Sequence, residues 1–306
     1  WPDVPSGRMS IHDRAEAEQA AATLLRDLSS FRALGLRLNC LFNAACHGAQ
    51  AVSAELAAAV TGRLGHLGAQ GLMPEVVTTA SPFIASVIKG AFPDIDVRAS
   101  VNMRIGTIAG MRYLADCFDS YCVQREYNRD LLHLETLCAW ASKNGKRLTL
   151  LANSGCLAHC PNQSFHDNLV AHERELPSDR ARTYPVARCW HFLARPENHA
   201  AFIAGGTWIR PEDVPLYAHL PVTLKLATRM HGRPQSVIGA YAAGRHRGNL
   251  LDLLEPGMSR CLWPAIIDNS LFPADWLAGL ARAHAAGMEE EYAVSLFATV
   301  RRMMDE

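Results

Sequence analysis

The sequence has no long hydrophobic run, no excess of either charge and few aromatic residues. Its longest apolar stretches, near 54–60 and 147–152, fall far short of the ~20 residues needed to cross a bilayer, so no membrane span is expected. Thirty Lys and Arg balance thirty Asp and Glu, for a formal net charge of zero. That balance removes the global field that draws a chain to nucleic acid or an anionic membrane, so nucleic acid is not an expected partner. Only 8% of the residues are aromatic, yet 49% are hydrophobic and 20% charged, which is enough apolar material for a packed core and excludes disorder. The opening WPDVPSGRMSIHDR has no basic segment followed by an apolar one, so a cytoplasmic location is expected. No G-x-G-x-x-G follows a strand candidate, and G-x4-G-K-[ST], H-E-x-x-H and G-x-S-x-G are absent, which argues against dinucleotide, P-loop, zincin and serine-hydrolase chemistry. C-x3-C-x2-C is also missing, because Cys160 is followed by Pro161, Asn162 and Gln163; this disfavours radical-SAM chemistry.

What is present is alternation. Residues 12–34 carry good helix formers with Ala20, Leu24, Leu28 and Phe31 near helical spacing, and Gly35 ends the run. Strand-like segments follow at 36–42, 74–80, 95–102, 118–124, 146–153, 200–206 and 222–228, and helical stretches intervene at 50–66, 80–92, 107–117 and 129–145. Helix and strand in alternation predict a parallel sheet. The expected fold is α/β, a (β/α)8 TIM-like barrel, with one strand short of eight. The eighth lies either upstream of Trp1 or near 261–268; were it missing, a partner chain would close the barrel. No Gly-, Ser- or Pro-rich linker divides the chain, so 1–306 is expected to form one domain with an irregular insertion at 154–199. An excursion of that length usually carries function.

Three of the nine cysteines stand in or at the end of that insertion, as Cys156-x3-Cys160-x28-Cys189. Cys156 comes just after a strand candidate, at the barrel end where active sites collect. Cys46 occupies the equivalent place after the 36–42 run, with Cys40 and Cys261 as competitors for a fourth position. Four thiolates suit tetrahedral zinc or an iron–sulfur cluster, and the spacing favours neither metal. Cys117, Cys122 and Cys138 fall within helix or strand bodies and read as core thiols.

Polar groups cluster around these positions. Asn153 precedes Cys156, and His166, Asp167 and Asn168 follow Cys160, where they could orient ligands, bind substrate or transfer protons. Arg125 and Glu126 follow the 118–124 strand; Arg125 is an anion-binding candidate, and Arg129 and Asp130 begin the next helix. Lys225 and Arg229 close the 222–228 strand, Lys225 facing the barrel mouth or pairing with Glu126. Arg210 and Glu212 read as a turn into a helix. Arg245, His246 and Arg247 read as a solvated connection rather than a binding patch.

Taken together, LLANSGCLAHCPNQSFHDN, YCVQREYNRD and WIRPED…LKLATR…AYAAGRHRGNLLDLL resemble the peptidase U32, or collagenase-like, family from about Leu36 to Leu254. The resemblance implies a TIM-like barrel with a [4Fe-4S] cluster on four cysteines, here Cys156, Cys160, Cys189 and Cys46. It also implies relatives that carry out oxygen-independent hydroxylation with prephenate as oxygen source, and a small-molecule, quinone-like or peptide substrate. By that analogy Arg125, Lys225 and Arg229 would hold prephenate, with Asn153 and Asn168 as further substrate contacts, and His166, Asp167, Arg125 and Glu126 as catalytic groups. Zinc is the alternative metal. A non-catalytic accessory subunit of a heterodimer and a zinc-dependent hydrolase are the alternative functions.

Overall fold

A computed structural model describes residues 14–173 and 186–304. In chain order the first half holds α1 (Arg14–Ala33), β1 (Asn39–Phe42), α2 (Ala54–Ala69), β2 (Val76–Thr79), α3 (Pro82–Ala91), β3 (Asp96–Ala99), α4 (Ile108–Tyr113), β4 (Ser120–Cys122) and α5 (Leu131–Lys143). There follow β5 (Arg147–Leu151), α6 (Gln163–Ala171), α7 (Arg188–Leu193), α8 (Ala201–Ala204), β6 (Val222–Lys225), α9 (Pro234–Ala243), α10 (Ser259–Leu262), β7 (Ala265–Ile267), α11 (Trp276–Ala285), α12 (Glu289–Val300) and β8 (Arg301–Met303). These residues form two compact units, one of 14–122 with 163–173 and one of 123–162 with 186–304.

The first unit holds β1 to β4, parallel and in chain order, with Val76 opposite both Asn39 and Asp96 and Arg98 opposite Ser120. All four side chains of β2 are buried, the mark of an interior parallel strand covered on both faces. The helices are set by their caps: Ser53, Ser81 and Thr107 each accept a backbone N–H from the first turn of α2, α3 and α4, and Pro82 opens α3. Glu75, just before β2, pairs with Arg32 of α1 and accepts the Leu38 N–H at 2.7 Å. Burial alone would raise its pKa, but these partners hold it below the ordinary carboxylate value.

In the second unit β5 and β6 run parallel, Leu148 opposite Val222, and α5 is capped by Asp130, whose carboxylate accepts the His133 N–H at 3.0 Å. The core is an aromatic stack in which Trp208 lies between Phe202 and Trp276, with ring centroids at 5.9 and 5.3 Å and Phe272 edge-on to both tryptophans.

The alternation of helix with parallel strand is that of a TIM-like barrel short of eight strands. Two strand expectations need correction. The 200–206 run is not a strand; Ala201–Ala204 form the short helix α8, because a brief apolar run carries no period and alanine favours helix. The 261–268 segment does hold a strand, β7, but it pairs antiparallel with β8 in a separate two-stranded ribbon and adds nothing to the parallel set. Among the described residues no helix is long and apolar enough to cross a membrane. The readings made for the opening residues and for part of the 154–199 insertion fall on 1–13 and 174–185, outside the described residues.

Candidate metal centre

In the second unit the chain leaving β5 is locked before it reaches Cys156. Ala152 donates to Lys225 O at 2.9 Å and accepts from Ile209 N at 2.7 Å. Fully buried Asn153 spends its whole amide on backbone: Nδ2 donates to Ala227 O at 2.7 Å and Leu253 O at 3.0 Å, and Oδ1 accepts the Ala227 N–H at 2.7 Å. Gly155 then donates to Glu255 O at 3.1 Å. Any Cβ there would sit closer than 3.0 Å to the Pro256 carbonyl oxygen, so only glycine allows this approach.

The cysteine loop lies against a second strap, 205–207. Thr207 Oγ1 donates to Cys156 O at 2.8 Å, Ala158 donates to Gly205 O at 2.6 Å, and Leu157 bridges to Gly206. His159, between the two cysteines, takes the left-handed conformation at φ 55°, which reverses the chain toward Cys160. The strap is braced from behind. Asn128 Nδ2 donates to Leu151 O and Thr207 O at 2.8 and 2.7 Å, and Arg129 donates from Nε to Trp208 O at 3.1 Å and from Nη1 to Ile203 O at 2.7 Å. The Arg129 guanidinium lies 3.8 Å over the Trp208 ring, its Nη2 sealed from solvent. Burial lowers its pKa to about 9, so it still carries its charge at neutral pH.

Cys189 lies on α7 and Cys261 on α10, and these helices pack together. Burial pushes the Cys189 thiol up to about 11, and the negative charges of Cys156, Cys160 and Cys261 add to that rise. Burial alone takes Cys261 to about 11. Three other cysteines of the same unit, Cys156, Cys160 and Cys261, therefore act on Cys189. Among the described residues, no three His, Cys, Asp or Glu side chains stand in place to ligate a single ion. One zinc needs its sulfurs within about 4 Å of one another, given Zn–S bonds of about 2.3 Å.

The other residues named from sequence fall as follows. Cys46 stands after β1 in the first unit, where its Sγ accepts the Gly48 N–H at 3.4 Å. His166, Asp167 and Asn168 lie on α6 of the first unit, a regular helix rather than an irregular loop. Arg125 and Glu126 form a 3-10 turn after β4 in the second unit, Arg125 buried. Lys225 ends β6, half-buried, with Arg229 exposed beyond it. Arg210 stands at the turn into the 3-10 helix Pro211–Tyr217, as read from sequence; its side chain is also buried and forked onto Asp213 at 2.9 and 2.7 Å, and Asp213 accepts from Trp276 Nε1. Arg129, Thr207 and Cys261 were missed or underrated. The Gly205-Gly206 pair before WIRPED was the one local hint, since paired glycines often mark close backbone approach.

No protein-family model matches the sequence. The U32 peptidase Mk0906, a solved structure, superposes with a TM-score of 0.50 over 74% of this chain and 80% of its own, at 16% identity. The chain has the fold of a U32 peptidase. A curated relative, an uncharacterized protease of Methanocaldococcus jannaschii, is 31% identical over 111 residues. That match covers 36% of this chain and only 32% of the relative's length. Both likenesses support the U32 resemblance read from the motifs.

Proposed function

We propose that the chain is an iron–sulfur enzyme of the U32 type that hydroxylates a small-molecule, quinone-like or peptide substrate without oxygen, with a [4Fe-4S] cluster on Cys156, Cys160, Cys189 and Cys261. The observation that carries it is the packing of Cys189 on α7 against the core that holds Cys261 on α10, with the Cys156–Cys160 loop set on that same core through Leu157. Four thiols of one unit, Cys261 buried and the other three partly so, are costly to ionise together, and a cationic cluster would offset that cost. This reading replaces Cys46 with Cys261 as fourth ligand. When bound, such a cluster supplies one-electron transfer.

The chain's own residues supply the rest. Asn153, Gly155 and Thr207 hold the cysteine loop from both sides, so its thiols are positioned before any cofactor arrives. Arg125, Lys225 and Arg229 belong to the second unit, Arg125 just after β4 and the other two at and beyond the end of β6, and active sites of this fold collect at strand ends. There they would bind a dicarboxylate such as prephenate. Glu126, next to Arg125, is the proton-transfer candidate of that unit, and His166 and Asp167 of α6 are those of the first unit.

The test is turnover by the anaerobically purified, chemically reduced chain, given prephenate and a panel of quinone precursors, read by mass spectrometry for product that has gained one oxygen atom. The expected result is prephenate-dependent product, with KM for prephenate raised at least about tenfold in Arg125→Ala, as for loss of one charge-assisted contact. Cluster without product would instead favour an accessory subunit. The name of the curated relative favours a second reading, peptidase activity. Cleavage of casein that survives Cys156→Ala would support it.

A further inference from the structure

A cavity of about 500 Å³ opens beside α9, away from the cysteine loop in sequence, lined by Ser236, Gly239, Ala240, Ala243, Arg245, His246 and Arg247. We propose that it binds a phosphate-bearing small molecule. Its volume falls in the range of small-ligand sites. The lining contains two guanidinium groups and no carboxylate. Among the described residues no acidic side chain pairs with Arg245 or Arg247, so neither guanidinium is neutralised within the fold. Two unpaired forks on one cavity match the oxygens of a phosphate dianion, which guanidinium binds in bidentate fashion.

The loop that carries these arginines is built rather than loose. Gly244 ends α9 in the left-handed conformation at φ 63°, and Arg245 N donates back to Ala240 O at 3.1 Å. The His246 peptide is clamped at both ends: its N–H donates to Glu212 Oε1 at 2.6 Å, and its carbonyl accepts from Asn269 Nδ2 at 2.9 Å. Asn269 Nδ2 also donates to that same Glu212 oxygen, so Oε1 holds the backbone, while Glu212 Oε2 is buried without a hydrogen-bond partner. The His246 ring is tied to Asn249 O at 3.2 Å. Arg245 and Arg247 flank this fixed peptide, so the backbone that carries their exposed side chains is set before a ligand arrives. The rest of the lining from α9 is glycine, alanine and serine, small side chains that leave room for a ligand.

The experiment is titration calorimetry of the full chain with pyrophosphate, with malonate as a carboxylate dianion and a single-stranded RNA oligonucleotide as comparison ligands. The expected result is saturable pyrophosphate binding, weakened at least about tenfold by Arg245→Ala or by Arg247→Ala, as for loss of one charge-assisted contact. Gly239→Met should weaken it as well, because residue 239 lines the cavity, a Cβ there meets nothing within 4 Å, and the longer side chain would occupy ligand space. No saturable binding at millimolar pyrophosphate, or binding unchanged in all three variants, would overturn the proposal. Malonate binding as tight as pyrophosphate would overturn the assignment to phosphate. Oligonucleotide binding that needs both arginines, with no pyrophosphate binding, would overturn the small-molecule assignment.

Discussion

Gly206→Ala is expected to destabilise the second unit by about 3 kcal/mol, the upper end for overpacking a core. The added methyl would lie closer than 3.0 Å to Phe202 O, Trp208 Nε1 and Arg129 Nη2, the last at 2.7 Å. None of the three can yield cheaply. Phe202 O belongs to α8, Trp208 is stacked between Phe202 and Trp276, and Arg129 is tied to the carbonyls of Ile203 and Trp208. Moving the strap instead would break the Leu157–Gly206 bridge and draw Thr207 away from Cys156 O. Chemical denaturation of the variant beside Gly239→Ala is the check. At 239 a Cβ meets open space inside a helix, so that methyl should stabilise by about 0.5–1 kcal/mol. Equal stability of the two variants would contradict the packing described around the cysteine strap.

Asn153→Asp is the second large effect, and it should depend on pH. In the native chain Asn153 Nδ2 serves the carbonyls of Ala227 and Leu253. A carboxylate oxygen in that place would face both carbonyl oxygens without a proton to share, in a fully buried position. The folded variant would therefore keep the new carboxyl group protonated, raising its pKa above the unfolded value of about 3.9. Between those values the folded state binds more protons than the unfolded one, so stability falls as pH rises above about 4 and levels off beyond the raised pKa. Each unit of elevation costs about 1.4 kcal/mol at neutral pH. Urea unfolding of the variant and the parent between about pH 4 and 8 reads this directly. A difference that does not change with pH would show that Asn153 is not committed to these carbonyls.

What the sequence made legible was local. The buried run of β2, the Asp130 cap of α5 and the strand before Cys156 all follow from short-range pattern and capping chemistry. The 200–206 run misled because strand-length apolar segments carry no period of their own. Cys261 could be named only as a competitor, since seventy-one residues separate it from Cys189 and only the packing of α10 on α7 brings the two near. Arg129 has the same explanation. Beside Asp130 it looks like the start of a helix, and its role depends on Trp208, Ile203 and Trp276, all more than seventy residues away. The paired glycines at 205 and 206 were visible, but their reason, the approach of the Cys156 loop, was not.

The most direct measurement is the iron and acid-labile sulfide content of anaerobically purified chain, with its visible spectrum, in the parent, Cys261→Ala, Cys46→Ala and Cys138→Ala. The account predicts about four irons per chain with broad visible absorption, lost in Cys261→Ala and retained in Cys46→Ala and in the core-packing control Cys138→Ala. Zinc in place of iron, or iron retained in Cys261→Ala and lost in Cys46→Ala, would contradict it.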